Sequence, residues 1–188
     1  MTLNRQAAMR LVLIGLIGGI LQLTAVSQVS LFGVQADLTP LLAASIGFLC
    51  GSVPGACFGF GLGLFMDTAT LETLGVESLI FTIVGYAAGR VRELRDPAHG
   101  LAPVAVGAAG TAVATIGFSL LQFLLGVDAP VSFLLLREIL MTILINTLLA
   151  LPIYALCRRI MLPFLPEDPR RRRRRAYTTG GLSPLSRA

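Results

Sequence analysis

The chain has 188 residues, a mean hydropathy of +0.81, 55% hydrophobic residues and 13% charged ones. Soluble domains are about 25% charged and 45–50% apolar, so a water-soluble globule is excluded. The formal charge of +5 rests on 15 basic residues, all of them Arg. It would suggest a nucleic-acid binder only if the rest of the chain could stay in water. Leu11–Ala36, Leu38–Met66, Leu101–Val127 and Ala129–Leu136 carry no Asp, Glu, Lys, Arg or His. The class is therefore an all-α polytopic membrane protein, one compact unit.

The first span is expected over about residues 8–29, behind Arg5 and Arg10. Ala25-Val26-Ser27 offers small residues like those of a cleaved leader. The apolar run continues through Val29, Leu31 and Phe32, which favours a retained helix. Leu38–Met66 is long for one span and short for two, because a full crossing takes about 20 residues. Gly51-Ser52-Val53-Pro54-Gly55 in its middle is a turn signal, so two short helices are predicted, 38–50 and 53–66. Further spans are expected over 76–90, 102–125 and 130–156.

Charge supports this division. Asp37, Asp67, Glu72, Glu77 and Asp128 fall in loops on one side, while Arg90, Arg92, Arg95, Arg158 and Arg159 fall on the other. With two helices in 38–66 every loop obeys the positive-inside rule, and both termini are cytoplasmic. With one helix there, the arginine-rich segments would lie outside. The reading is a six-helix membrane domain over residues 1–160, followed by a cytoplasmic Arg-rich tail over 161–188. At about 1.5 Å per residue a thirteen-residue helix reaches only ~20 Å of a ~30 Å core. The second to fourth helices are thus expected to be short, in a thinned bilayer or covered by other helices or a partner.

Gly55, Gly59 and Gly63 recur every four residues and share one helix face; Gly85 and Gly89 repeat the spacing. Such faces let another backbone approach closely, within the protein or at a partner interface. Arg137 and Glu138 lie inside the sixth span, where charge is costly. Glu138, Thr142 and Asn146 form an i, i+4, i+8 stripe, read as part of a structural polar network with Asp67, Glu77 and Arg137. Arg137 is expected to pair with Asp67, or else with Glu77, at the outer ends of the third and fourth spans. Arg170, Arg171, Arg172, Arg173, Arg174 and Arg175 lie in a segment of disordered composition. They are expected to contact anionic lipid; no aromatics interleave them, so no specific nucleic acid is expected. Cys50, Cys57 and Cys157 are dispersed and His99 is alone, so neither metal nor cofactor is expected. No nucleophile–base pair is available, which argues against an enzyme.

From Leu31 to Arg159 the chain resembles the rod shape-determining protein MreD family. The stretches that carry the resemblance are Gly33-Val34-Gln35-Ala36-Asp37-Leu38 and Gly51-x-x-x-Gly55-Ala56-x-x-Gly59-Phe60-x-x-Gly63, then Asp67. Leu74-Gly75-x-Glu77-Ser78-Leu79, Val84-Gly85-Tyr86-x-x-Gly89-Arg90 and Arg137-Glu138 with Asn146 and Pro152 follow. Glu77 stands where the pattern has a neutral polar residue, and the Arg tail lies outside it. The resemblance implies a non-enzymatic scaffold of the bacterial cell-elongation machinery in the inner membrane. It implies MreC, a bitopic coiled-coil protein, as partner. The RodA glycosyltransferase, its penicillin-binding transpeptidase and, indirectly, MreB lie beyond. At fold level the family is similar to the six-helix substrate-binding subunits of energy-coupling-factor vitamin transporters. That leaves a second reading, a small-molecule binder with an outward cavity lined by Asp67, Glu72 and Glu77.

Overall fold

The computed structural model describes residues 5–26, 30–31, 34–71, 73–94, 101–126 and 133–164. Six α-helices follow one another: α1 Arg5–Leu21, α2 Leu38–Cys50, α3 Ser52–Thr70, α4 Val76–Leu94, α5 Ala102–Leu124 and α6 Phe133–Met161. A π-helical turn, Gln22–Val26, extends α1, and a 3-10 turn, Leu162–Phe164, extends α6. Between α1 and α2 lies a two-residue antiparallel ladder, β1 Ser30–Leu31 against β2 Val34–Gln35, with Ser30 opposite Gln35.

The expected break inside 38–66 is a single residue. Gly51 takes φ 103° and ψ 177°, a conformation that a side chain would strain, and its N–H donates to the Gly47 carbonyl to close α2. Ser52 already begins α3, with Pro54 in its first turn, where no helical N–H is lost. Asp37 opens α2 by accepting from the Thr39 N–H at 3.0 Å, a side-chain N-cap.

The expectation of short helices holds for α2 and fails for α3 and α4. Each has 19 residues, about 28 Å at 1.5 Å per residue, against a core of ~30 Å. Asp67 does not stop α3, because its carboxylate is bonded inside the protein. The helix ends at Leu71, in the left-handed region at φ 56°. The thirteen-residue α2 needs no thinned bilayer: every residue from Thr39 to Leu49 is buried by other helices.

Among the described residues, Ala102–Leu124, Leu135–Met161 and Arg5–Thr24 are the three helical segments long and apolar enough to cross a membrane. The outer faces of these helices carry exposed Leu13, Ile17, Ile116, Phe123, Leu144 and Leu148. The short α2 sits inside, while α3 and α4 bury one face against each other and expose the other, including Phe60 and Ile83. One apolar cluster joins α1, α2, α3 and α6 through Leu11, Ile46, Phe58 and Met161; a second joins α2, α4 and α5 through Ala43, Phe81, Val84 and Ala114.

Helix directions alternate. A guanidinium N–H of Arg10, near the start of α1, donates to the Ile160 carbonyl at the end of α6 (2.8 Å). Gln22, just beyond α1, accepts from the Leu38 N–H at the start of α2 (2.9 Å). Arg92, at the end of α4, donates to the Leu49 carbonyl at the end of α2. In α5, Gly107 faces Ala150 of α6 and Gly110 faces Ala44 of α2. Arg10, Arg90, Arg92, Arg158 and Arg159 consequently share one end of the bundle, and Asp37, Asp67 and Glu77 share the other.

Candidate functional site

The glycine face predicted on α3 is the seam on which α4 packs, and the two helices run antiparallel. A Cβ built at Gly55 would fall within 3.0 Å of the Gly85 carbonyl, and one at Gly59 within 3.0 Å of Phe81 and Thr82 backbone atoms. One at Gly63 would meet the Glu77–Ser78 backbone, and one at Gly89 the Gly51–Ser52 backbone. Gly47 of α2 also faces the Gly85 carbonyl, so three helices converge at Gly47, Gly55 and Gly85. These clashes are with backbone, which cannot rotate away. The glycine positions pack helices inside the protein, and no room is left on this face for a partner.

Both ends of the seam are tied by a carboxylate from one helix serving the first turn of the other. At one end Asp67, 1% exposed, accepts from the N–H groups of Gly75 (2.9 Å), Glu77 (3.1 Å) and Ser78 (3.2 Å), and from the Ser78 hydroxyl (2.9 Å). These donors are the otherwise unbonded amides at the start of α4, where the helix dipole also favours negative charge. At the other end Glu93 accepts from the Ser52 N–H (3.0 Å) and hydroxyl (2.7 Å), at the start of α3. The bonds from the Ser52 amide and then its hydroxyl hold the Glu93 carboxyl below its ordinary 4.5; partial burial opposes this, and Arg90, 3.1 Å away, adds to it. Arg92 completes the pattern by giving its charge to the carbonyl end of α2.

A second polar knot joins four segments. The Asn146 side chain, wholly buried, accepts from the Asp37 N–H (3.1 Å) and donates to the Asp37 carbonyl (2.7 Å) and the Thr111 hydroxyl (3.2 Å). Gln22 donates to the Ala36 carbonyl at 3.2 Å, holding the same strand-like stretch from the other side. The expected polar network is thus two separate ones, Asp67–Ser78 with the Glu77 amide, and Asn146–Asp37–Thr111.

Arg137 and Glu138 belong to neither. Both are exposed, and the Arg137–Asp67 and Arg137–Glu77 pairs do not form; the ion pair found among the described residues is Arg90–Glu93. The reason is packing: α6 lies against α5 and α2 rather than against α3 or α4, and the Asp67 carboxylate is already enclosed by the donors of Gly75, Glu77 and Ser78. The predicted stripe divides accordingly: Thr142 and Asn146 are buried, Glu138 is not. Glu72 and Arg170–Arg175 lie outside the described residues.

Sequence reasoning missed Ser52, Ser78, Arg92, Glu93 and Thr111. Single hydroxyls and a charge inside an arginine-rich loop give no periodic signal.

Two apolar grooves flank α1. The larger, about 820 Å³, lies between α1 and α3, from Ala8, Cys50 and Val53 to Leu16 and Phe65, with Ser52, Arg92 and Glu93 at one end. The smaller, about 380 Å³, lies between α1 and α6. Asp67 lines neither, since its carboxylate is enclosed by the α4 terminus. Among the described residues no His, Cys, Asp and Glu groups are placed to hold a metal ion.

No curated protein and no solved structure matches the chain. A family model described as rod shape-determining protein MreD matches residues 4–160. That span takes in all six helices, the glycine seam, both carboxylate caps and the Asn146 knot. This chain belongs to the MreD family of rod shape-determining proteins.

Proposed function

We propose that the protein is a non-enzymatic, six-span scaffold of the bacterial inner membrane, with both termini cytoplasmic. In this reading it holds MreC and couples it to the RodA glycosyltransferase and its penicillin-binding transpeptidase, with MreB engaged indirectly. The family supplies the role in rod shape determination. The observation that carries the topology is the separation of charge along the bundle. Arg10, Arg90, Arg92, Arg158 and Arg159 gather at one end and Asp37, Asp67 and Glu77 at the other, which in a bilayer is the positive-inside arrangement. The scaffold role is supported by the internal use of the polar groups. Asp67, Glu93 and Asn146 are engaged in joining helices, which leaves the apolar outer faces of the helices, on α1, α3, α4, α5 and α6, as the surfaces available to other membrane proteins.

Two measurements test this. A reporter inserted after Gly75 should read extracytoplasmic and one after Leu94 cytoplasmic; the same side for both would refute the six-span reading. MreC from the same cell should co-purify with the tagged protein, and its absence from the purified material at native expression would refute the partner assignment.

A further inference from the structure

We propose that the groove between α1 and α3 is a site for a phospholipid with a phosphate–ammonium headgroup, of the phosphatidylethanolamine type. This rests on the membrane reading only in requiring the bundle to lie in a bilayer. The groove follows α3 from Val53 to Phe65, about 18 Å at 1.5 Å per residue. That length and the 820 Å³ of space accommodate a hydrocarbon tail. Gly61 faces open space, since a Cβ built there meets nothing within 4 Å, and with Gly15 on α1 it keeps the passage clear.

The walls are apolar along the length and polar only at the Ser52–Arg92–Glu93 end, the division expected of an amphiphile's site. Arg92 gives one of its guanidinium donors to the Leu49 carbonyl and has others to offer a phosphate. Glu93, its neighbour on α4, has a side chain 40% exposed, and its Oε2 accepts from Arg90 at 3.1 Å. That oxygen suits the N–H donors of an ammonium group. A cation beside an anion matches a zwitterion with a donating amine. Phosphatidylglycerol lacks the cation, and the quaternary nitrogen of phosphatidylcholine cannot donate a hydrogen bond.

The test is native mass spectrometry of the full chain in detergent, titrated in turn with phosphatidylethanolamine, phosphatidylglycerol and phosphatidylcholine. Retention of the first should exceed that of the others about fivefold. Glu93→Gln should erase the preference, and Gly61→Leu, which extends into the groove from a position whose Cβ meets nothing within 4 Å, should lower retention of phosphatidylethanolamine about fivefold. Cys57→Phe fills the same groove from an exposed position and stands in should Gly61→Leu fold poorly. Equal retention of the three lipids, or retention of phosphatidylethanolamine unchanged by either filling variant, would overturn the proposal. Failure of the topology reading shows separately, as reporters after Gly75 and Leu94 on one side with lipid retention unaffected.

Discussion

Replacing Asp67 by Ala takes the acceptor from three backbone amides and a hydroxyl at once. Hydrogen bonds to charged groups contribute about 1.5–3 kcal/mol, so Asp67→Ala should cost about 3 kcal/mol, read as a lower thermal midpoint in detergent. Arg137→Ala should cost far less, and the double variant should show additive losses, since the two side chains do not touch. Coupling between them would restore the ion pair that the charges alone suggest. That pairing looked natural in sequence because a charge count sees side chains and not the amides of a helix start. Glu93 gives a pH signature. Its folded pKa is depressed, so its contribution is present above the ordinary value of 4.5 and is lost as pH falls through the lower folded value. Between about pH 6 and pH 3.5 the melting midpoint should fall more steeply in the native protein than in Glu93→Gln. Parallel curves would mean that Glu93 does not cap α3.

At the level of the helix, spacing told more than composition did. The four-residue glycine repeat on α3 and its echo at Gly85 and Gly89 were legible, and they are the two halves of one seam. Their helix ends are not legible, because in sequence an apolar run stops at its first charge. Asp67 and Arg90–Glu93 are charges that α3 and α4 absorb rather than end on. The seam makes a sharp contrast between near neighbours. Gly59→Leu should reduce the yield of folded protein severalfold, since overpacking against a fixed backbone costs about 1–3 kcal/mol or more. Gly61→Leu, two positions on, should fold as well as the native chain, because its Cβ meets open space. Size-exclusion profiles of the pair decide the matter, and equal yields would place α4 elsewhere. Asn146→Leu should cost about 1–2 kcal/mol, the upper range for hydrogen bonds between membrane helices, and its thermal midpoint measures this.

Across the whole bundle, length and hydropathy together pick out α1, α5 and α6, while α2, as apolar but only thirteen residues long, is enclosed by the others. By those two criteria alone the described residues hold three spans. The charge alternation and the turn at Gly51 were needed to find six helices. Helix neighbours were least legible: charge along the chain does not say that α6 packs on α5 and α2, away from the seam that holds Asp67, and α6 runs to Met161, beyond the expected 156. Deleting residues 169–188 should leave folding intact, because Arg92, Arg158 and Arg159 remain at that end of the bundle. It should weaken binding to anionic vesicles, by about 1 kcal/mol per Arg near the surface and less at high salt. Unchanged sedimentation with such vesicles would remove lipid contact as the role of Arg170–Arg175.

The reciprocal caps on α3 and α4 also bear on how the chain enters the bilayer. While the nascent protein is still emerging, a lone α3 would present Asp67 before the amides of Gly75, Glu77 and Ser78 exist to receive it. An acid at the centre of an inserting helix costs about 2.5–3.5 kcal/mol; Asp67, three residues from the end of α3, incurs a smaller part of that cost while its donors are missing. The start of α3 likewise waits for Glu93, some forty residues later. The hairpin is therefore expected to leave the insertion machinery as a pair, held back until Leu94 has been made. Arrest peptides placed at successive lengths would show one late pulling event for both helices, where independent spans would give two.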